Sequence, residues 1–210
     1  MPQLESRLLV VTDRQQTLGR PLVSLLERVL TVGAPAIQLR ERDLSAKGLL
    51  SLAQEVRSLA ASRGSQLVIN DRIDVALSLE GVGVHLRSNS LPVAVARRLL
   101  GGRRLLGISA HSVEEAVSAE ANGADYVVLG PIYDTPSKQS FGPPLGLHRL
   151  EAACRRVRIP ILGIGGVTSA RAHDVRRAGA FGVAVIAAVL SAEDVETAAR
   201  ALLDAVASPS

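Results

Sequence analysis

A single (β/α)8 TIM barrel, of the α/β class, is the fold that this sequence predicts, and three observations predict it. Short runs of β-branched and aliphatic residues alternate with longer segments of helical periodicity, and eight such pairs fit into 210 residues. The strand runs are almost continuously apolar, which is typical of parallel strands buried on both faces. The first run ends in VTDRQQ rather than in a glycine-rich loop, so a barrel is favoured over a doubly wound open sheet. Because no linker or repeat divides the chain, we expect one domain over residues 1–210, with a barrel core at about 7–205.

The eight strands are predicted, in chain order, from these apolar runs. They are LLVVTD (8–13), AIQLRE (36–41), QLVIND (66–71), GVHL (83–86), LLGIS (105–109), DYVVLG (125–130), ILGIGG (161–166) and GVAVI (182–186). Between them, segments such as 45–63, 112–123 and 168–179 carry apolar residues at i, i+3 and i+4, and they predict helices. The last of these segments begins with the capping pair TS and ends at Gly179, as a helix commonly does.

Composition excludes several classes of protein. Hydrophobic residues make up 47% of the chain but aromatic residues only 2%, so stacking platforms for single-stranded nucleic acid are absent. The net charge of +4 suits an anionic ligand, yet no dense basic run marks a nucleic-acid surface, and we expect no nucleic-acid partner. The single cysteine, Cys154, excludes an internal disulfide and a thiolate metal cluster. No signal-peptide pattern and no apolar segment of roughly 18 residues is found, so we expect a cytoplasmic protein with no membrane partner. The sequence leaves homo-oligomer formation open.

Polar residues follow the apolar runs at the carboxyl ends of the predicted strands, where barrel enzymes carry their active sites. In chain order these residues are Asp13, Gln38, Arg40, Arg42, Asn70, Asp71, His85, Ser109, His111 and Lys138. Taken singly, each could serve a turn or cap a helix, as an aspartate is well suited to do. Because several cations and a carboxylate gather at one rim, a binding site is the preferred interpretation.

The segments GIGGVTSA and AFGVAVIAAVL, at the seventh and eighth strands, predict a phosphate site. Barrels frequently bind phosphate at this place with backbone N–H groups at the start of a short helix. Gly165 and Gly166 would let an anion approach the backbone closely, although two glycines also suit a tight turn without any ligand. The sequence therefore predicts a ligand that bears a phosphate.

Cationic side chains at the same rim predict a second, more highly charged anion site. Arg40 and Arg42 stand two residues apart, so on a strand both side chains would start on the same face. Lys138, one of only two lysines, lies in a loop rich in Pro, Gly, Ser and Thr and would add a third cation. Asp71 could help to hold Mg²⁺ against phosphate oxygens, because that ion usually keeps several waters and few carboxylates. The combination indicates metal-assisted phosphate or diphosphate chemistry without naming the substrate.

Several motifs follow one another over nearly the whole chain: QLRER, INDRIDVAL, GVHL…LPVAVARRLLG, GISAHSVEEA, GADYVVLGPIYDTPSK and IPILGIGGVTSA. In order and spacing they resemble the thiamine phosphate synthase / TenI family. The resemblance implies a barrel enzyme of thiamine biosynthesis that joins hydroxymethylpyrimidine diphosphate to thiazole phosphate and releases diphosphate. These small phosphorylated substrates are the expected partners. Such chemistry needs cations that absorb the negative charge of the leaving diphosphate, and a site from which water is excluded.

The resemblance also implies which residues bind the pyrimidine diphosphate. They are Gln38, Arg40, Arg42, Asn70 and Lys138, with Arg42 at a place where the synthases usually have lysine. Arg40, Lys138 and Ser109 are the implied catalytic residues. Lys138 would close over the diphosphate as the cation of a mobile lid.

Further positions match the metal site, the lid loop and the thiazole phosphate site of the family. Asp71 matches one Mg²⁺ ligand, and Thr135 and Ser137 match the polar pair of the lid loop. The backbone of Gly166, Ile186 and Ala187, beside Gly165, matches the cradle for the thiazole phosphate.

One departure from the synthase pattern concerns the metal. After GVHL the synthases usually have G-Q-x-D, whose aspartate is the second Mg²⁺ ligand, but this chain has RSNS and therefore Ser90 at that place. A hydroxyl is a poor replacement for a carboxylate on Mg²⁺. We therefore expect a weakened metal site, with Arg87 adding positive charge nearby.

The lost aspartate keeps two alternatives open. It resembles the TenI branch, which is linked to the tautomerisation of thiazole phosphate carboxylate, and His85 or His111 would then be the proton shuttle. The catalytic histidine of that branch corresponds to Pro131 here and Asp71 is retained, so the synthase is preferred. The other alternative is a non-catalytic protein that binds thiazole phosphate or thiamine phosphate.

Overall fold

The computed structural model describes residues 2–135 and 143–207, and the predicted site residues Ser137 and Lys138 lie outside these ranges. Within them, eight parallel strands form one closed barrel in the order β1 to β8, with β8 paired to β1. The strands are β1 Leu8–Val11, β2 Ala36–Leu39, β3 Leu67–Asn70, β4 Gly83–Leu86, β5 Leu106–Ala110, β6 Tyr126–Leu129, β7 Ile161–Ile164 and β8 Gly182–Val185. The register is regular around the closure, since Val10 lies opposite Ile37 on one side and Val185 on the other. The predicted (β/α)8 barrel is confirmed.

α-Helices connect the strands and surround the barrel. In the described residues they are α1 Leu22–Thr31, α2 Ala46–Ser62, α3 Ile73–Leu77, α4 Val93–Leu100, α5 Val113–Ala121, α6 Gly146–Arg156, α7 Ser169–Arg177, α8 Ala187–Leu190 and α9 Val195–Ala207. The side-chain oxygens of Ser45 and Ser112 cap α2 and α5, as their residue type favours. Thr168 is the residue before α7, at its N-cap position as predicted, but its hydroxyl makes no capping bond. None of these helices is both long and apolar enough to cross a membrane.

The core has two parts because successive strand residues point to opposite faces. On β1, Leu8 and Val10 pack against the helices, whereas Leu9 and Val11 point into the barrel. Similar side chains from the other strands fill the barrel interior: Ala36, Val68, Leu105, Tyr126, Val128, Leu162 and Ala184. Since the interior is packed with side chains, a ligand can enter only at an end of the barrel, and barrel enzymes use the carboxyl ends of the strands.

Most of the predicted strands extend too far at their carboxyl ends. GVHL is predicted correctly, but β2 ends at Leu39 and β3 at Asn70, since the polar residues that follow leave the ladder. Asp71 turns the chain with φ +58°, a conformation that aspartate tolerates better than most residues. The prediction that Arg40 and Arg42 share a face of a strand is therefore wrong, because both follow the end of β2 and Arg42 lies in a turn.

Candidate active site

A layer of polar side chains lies inside the barrel, next to the carboxyl ends of the strands. Gln38, Asn70 and His85 are almost completely buried on the inward face of β2, β3 and β4. The Gln38 side-chain amide donates a hydrogen bond of 3.0 Å to Asn70 Oδ1. Asn70 lies opposite His85 in the strand register, and His85 Nε2 is 3.0 Å from Ser109 Oγ on β5. The barrel thus brings the predicted residues Gln38, Asn70 and Ser109 to one place.

His85 is a neutral member of this layer. Its Nδ1 lies 3.0 Å from the hydroxyl of Tyr126, a residue that the sequence analysis did not single out. Burial lowers the pKa of His85 to about 3, against the opposing effect of the negative charge of Asp71. An imidazole with this pKa does not take up a proton near neutral pH. The lowered pKa argues against His85 as a proton shuttle, and its two ring nitrogens instead hold Tyr126 and Ser109 in place.

Tyr126 reaches His85 because of a glycine on the neighbouring strand. A Cβ atom at Gly107 would lie 2.0 Å from Cζ of the Tyr126 ring, so only glycine leaves room for the ring here. The glycine is visible in the run LLGIS, but nothing in the sequence indicates that a tyrosine fills the space above it.

Three arginine side chains converge above the polar layer. Arg40 is partly buried, and its Nη1 lies 3.7 Å from a carboxylate oxygen of Asp13. Burial and then the positive charge of Arg42 lower the pKa of Arg40, and Arg87 lowers it further. Arg42 is exposed and makes no hydrogen bond or ion pair with any residue of 2–135 or 143–207. Guanidinium groups that repel one another in this way provide a favourable site for a multiply charged anion.

Arg42, Asp71 and Arg87 line a cavity of about 330 Å³ at this end of the barrel. The remaining residues of its wall are Glu41, Leu44, Leu49, Asn70 and Arg72. A larger groove, of about 720 Å³, lies between the start of α1 and helix α2, but it contains none of the predicted site residues. The chemistry of the lining, rather than the volume, therefore identifies the smaller cavity as the candidate site.

Asp71 does not form a magnesium site in this arrangement. One of its carboxylate oxygens accepts the backbone N–H of Arg87 at 2.9 Å, and the other accepts a hydrogen bond from Arg87 Nε. Ser90 stands at the position of the missing second carboxylate, in a turn closed by its own N–H and the Arg87 carbonyl. Among the residues of 2–135 and 143–207, no group of three His, Cys, Asp or Glu side chains could hold a metal ion. With one carboxylate paired to Arg87 and a hydroxyl at the second position, the side chains here do not fit a protein-held Mg²⁺.

Gly165 and Gly166 follow β7, at the same end of the barrel as the arginines. Both have a positive φ, +95° and +63°, and neither amide N–H donates to an acceptor in the described part of the chain. Strand β8 is the next strand around the barrel, and Ile186 and Ala187 begin α8 directly after it. The four predicted cradle residues therefore follow two adjacent strands.

The reason predicted for these glycines needs a correction. A Cβ on Gly165 would lie 2.6 Å from Cβ of Pro131, and one on Gly166 would lie 2.6 Å from the carbonyl oxygen of Asp134. The missing side chains thus make room for the loop that follows β6, rather than for an anion. The amides of Gly165 and Gly166, which have no acceptor among the residues that the structure describes, are what the turn leaves for a ligand.

Arg171 reinforces this turn, and the sequence analysis missed it. Its Nη1 donates to the carbonyl oxygen of Gly166 at 2.8 Å, and its guanidinium lies 4.7 Å from the centre of the Tyr133 ring. Arg171 therefore ties the GIGG turn to the loop after β6. Thr135 is the last described residue before the undescribed segment 136–142, in which Ser137 and Lys138 lie.

Comparison with known proteins gives consistent results. The family model described as thiamine monophosphate synthase matches residues 8–189. A putative thiamine-phosphate synthase of Geobacter sulfurreducens is 43% identical over 203 residues, covering 97% of this chain and 95% of that protein. A thiamine-phosphate synthase of Moorella thermoacetica is 45% identical over 206 residues, covering 98% of this chain and 97% of that protein.

Solved structures extend the comparison to three dimensions. A thiamine phosphate pyrophosphorylase from Pyrococcus furiosus superposes with a TM-score of 0.87 at 33% identity, covering 96% of this chain and 95% of that one. A 3-hexulose-6-phosphate synthase, with a TM-score of 0.70 and 18% identity, shares the fold alone. Since the family model and the relatives each span most of its length, the chain belongs to the thiamine monophosphate synthase family.

Proposed function

We propose that this protein is a transferase of thiamine biosynthesis that joins hydroxymethylpyrimidine diphosphate to thiazole phosphate, giving thiamine phosphate and diphosphate. The observation that carries the proposal is the pairing of two anion sites at one end of the barrel. Three converging arginines lie above β2 to β4, and two amides without an acceptor in the described part of the chain lie above β7. The near full-length similarity to proteins named thiamine-phosphate synthase supports the same activity.

The arginines supply the main catalytic effect. As the bond between the pyrimidine methylene carbon and the diphosphate oxygen breaks, negative charge grows on the leaving group, and Arg40 and Arg42 stabilise it. Arg40 is preorganised for this task, because Asp13 and the hydrogen bond from its own N–H to Thr12 hold its position. The thiazole nitrogen then attacks the cationic carbon.

The polar layer orients the pyrimidine. The Gln38–Asn70 pair and the His85–Ser109 pair are each fixed by a hydrogen bond, so their remaining donors and acceptors have defined directions. Fixed groups of this kind hold two reactants in line and lower the entropic cost of their reaction. The amides of Gly165 and Gly166 would hold the thiazole phosphate together with the backbone of Ile186 and Ala187. The loop that carries Thr135, Ser137 and Lys138 would complete the site, with Lys138 binding the diphosphate.

Synthases of this family use Mg²⁺. The sequence pattern suggested a weakened Mg²⁺ site at Asp71, but the Arg87 contacts of that carboxylate lead us to leave the ion out of the proposal.

The decisive experiment is an assay with both substrates. We expect the purified protein to form thiamine phosphate and diphosphate in equal amounts. Arg40→Gln is expected to lower kcat/KM by about 100-fold, because a charged donor to the leaving group is lost. Arg98→Gln, which removes an exposed arginine on the outside of α4, is the matched control and is expected to keep wild-type activity.

Two results of this assay would contradict the proposal. If folded protein binds thiazole phosphate but forms no product, a non-catalytic binding protein is the correct interpretation. If it converts thiazole phosphate carboxylate between tautomers instead, the TenI alternative is correct. Of the two histidines that this alternative offers, His85 is buried and neutral, and His111 donates from Nδ1 to the carbonyl of Gly130 at 2.6 Å.

A further inference from the structure

Arg87 occupies an unusual position for a cation. It directly follows β4 and begins the RSNS segment, where the synthase pattern has glycine. Its backbone N–H and its Nε both bond to the carboxylate of Asp71, the residue that matches a Mg²⁺ ligand. The same short segment thus lacks one expected carboxylate, at Ser90, and brings a guanidinium to the other.

These two changes compensate each other electrostatically. A carboxylate that loses its metal ion would be left with an unpaired negative charge beside an anion site, which weakens anion binding. Arg87 neutralises that carboxylate. In addition, the backbone of Asp71 is fixed, because its N–H donates to the carbonyl of His85 at 2.9 Å. Asp71 can therefore hold the Arg87 side chain in a defined position.

The rest of the Arg87 guanidinium is available to a ligand. Only Nε is used by Asp71, and neither terminal nitrogen bonds to any residue that the structure describes. The side chain is 47% exposed and lines the 330 Å³ cavity together with Arg42. Arg72 lines it too, but both of its bonding nitrogens are paired with Asp74. The free edge of Arg87 presents two N–H-bearing groups, a geometry that matches phosphate oxygens.

We propose that Arg87 replaces the divalent cation in this chain: its guanidinium, positioned by Asp71, binds the diphosphate directly beside Arg40 and Arg42. Diphosphate binding and release then require no Mg²⁺. This inference rests on the proposed transferase function, because it assigns the diphosphate group of that reaction to the cavity.

Calorimetric titration of the protein with inorganic diphosphate tests the inference without catalysis. We expect wild-type protein to bind diphosphate in the presence of EDTA. Arg87→Gln is expected to bind it roughly tenfold or more weakly, since hydrogen bonds to charged groups are lost. Arg87→Lys, which keeps the charge but not the two-pronged geometry, is expected to fall between the two. Arg98→Gln on α4 is the matched control and is expected to bind like wild type.

A second variant tests the replacement in the opposite direction. The double variant Arg87→Gly, Ser90→Asp restores the synthase pattern at both positions. We expect it to bind diphosphate weakly in EDTA and to regain affinity with Mg²⁺. With Mn²⁺ as the probe, electron paramagnetic resonance in the presence of diphosphate should detect more protein-bound ion in this variant than in wild type, because only the variant adds a second carboxylate to the ligands.

The outcomes separate this inference from the proposed function. Diphosphate binding that requires Mg²⁺ in wild type, or that is unchanged in a folded Arg87→Gln protein, would overturn the inference, whether or not thiamine phosphate is formed. Conversely, if diphosphate binds in EDTA through Arg87 but no thiamine phosphate forms from the two substrates, the inference stands and the proposed function fails.

Discussion

The side chain of His85 is enclosed by Tyr126 on one side and Ser109 on the other. At the scale of single residues, this burial decides what chemistry the imidazole can do. The histidine cannot ionise at neutral pH, so it serves as a neutral link that orients Ser109. Arg40 shows the opposite case, because a guanidinium keeps its charge even when burial and neighbouring arginines lower its pKa.

The neutral histidine predicts a specific dependence of stability on pH. The pKa is lowered in the folded state to about 3, so the unfolded state binds more protons and stability falls as the pH drops below about 6.5. Between pH 7 and pH 5 this effect should amount to about 2 kcal/mol. Urea unfolding at both pH values measures it. We expect His85→Gln to lose about 2 kcal/mol less than wild type over this interval.

Wild type and His85→Gln carry the same carboxylates, which also titrate at acid pH. The difference between the two stability changes therefore reports on His85. An equal loss of stability in wild type and His85→Gln would show that His85 is not held neutral by burial.

At the scale of elements, the strand–turn segments at the carboxyl ends place the site. The GIGG turn after β7 packs against the loop after β6, and Arg171 fixes both by its bond to Gly166 and its contact with Tyr133. The position of the free amides thus depends on how closely that loop approaches the glycines.

Substitution of Gly166 by alanine tests this dependence, with Gly64→Ala as a matched control. Both glycines have nearly the same φ, +63° and +66°, but a Cβ would meet Asp134 only at Gly166 and has open space at Gly64. The strained φ should cost each variant about 1–2 kcal/mol in the free energy of unfolding. Only Gly166→Ala should lose further stability and bind thiazole phosphate more weakly, as calorimetry would show. Equal affinity of the two variants for thiazole phosphate would contradict the proposal that the amides of Gly165 and Gly166 bind its phosphate.

The elements also show how far the sequence alone could be interpreted. The apolar runs located every strand, and the helical spacing of apolar residues located α2 and α5 closely, because burial leaves a strong local pattern. The strand ends were extended too far because the apolar pattern does not encode the backbone angle at Asp71. The Arg87–Asp71 contact could not be predicted either, since it depends on the turn that follows β4.

At the scale of the whole molecule, the closed barrel explains why distant segments share one site. All eight strands are parallel, so their carboxyl ends meet at one rim, and residues as far apart in sequence as Arg40 and Gly166 face the same space. Packed side chains close the interior below them. The barrel therefore brings to one end the two groups that we propose bind anions: the arginines after β2 and β4, and the amides after β7.

The most direct measurement is a crystal structure of the protein soaked with diphosphate and thiazole phosphate. The account predicts that the diphosphate lies within hydrogen-bond distance of Arg40, Arg42 and Arg87. It also predicts that the thiazole phosphate accepts the amides of Gly165 and Gly166. Anions bound only in the groove between α1 and α2, with the strand-end cavity free of both ligands, would contradict it.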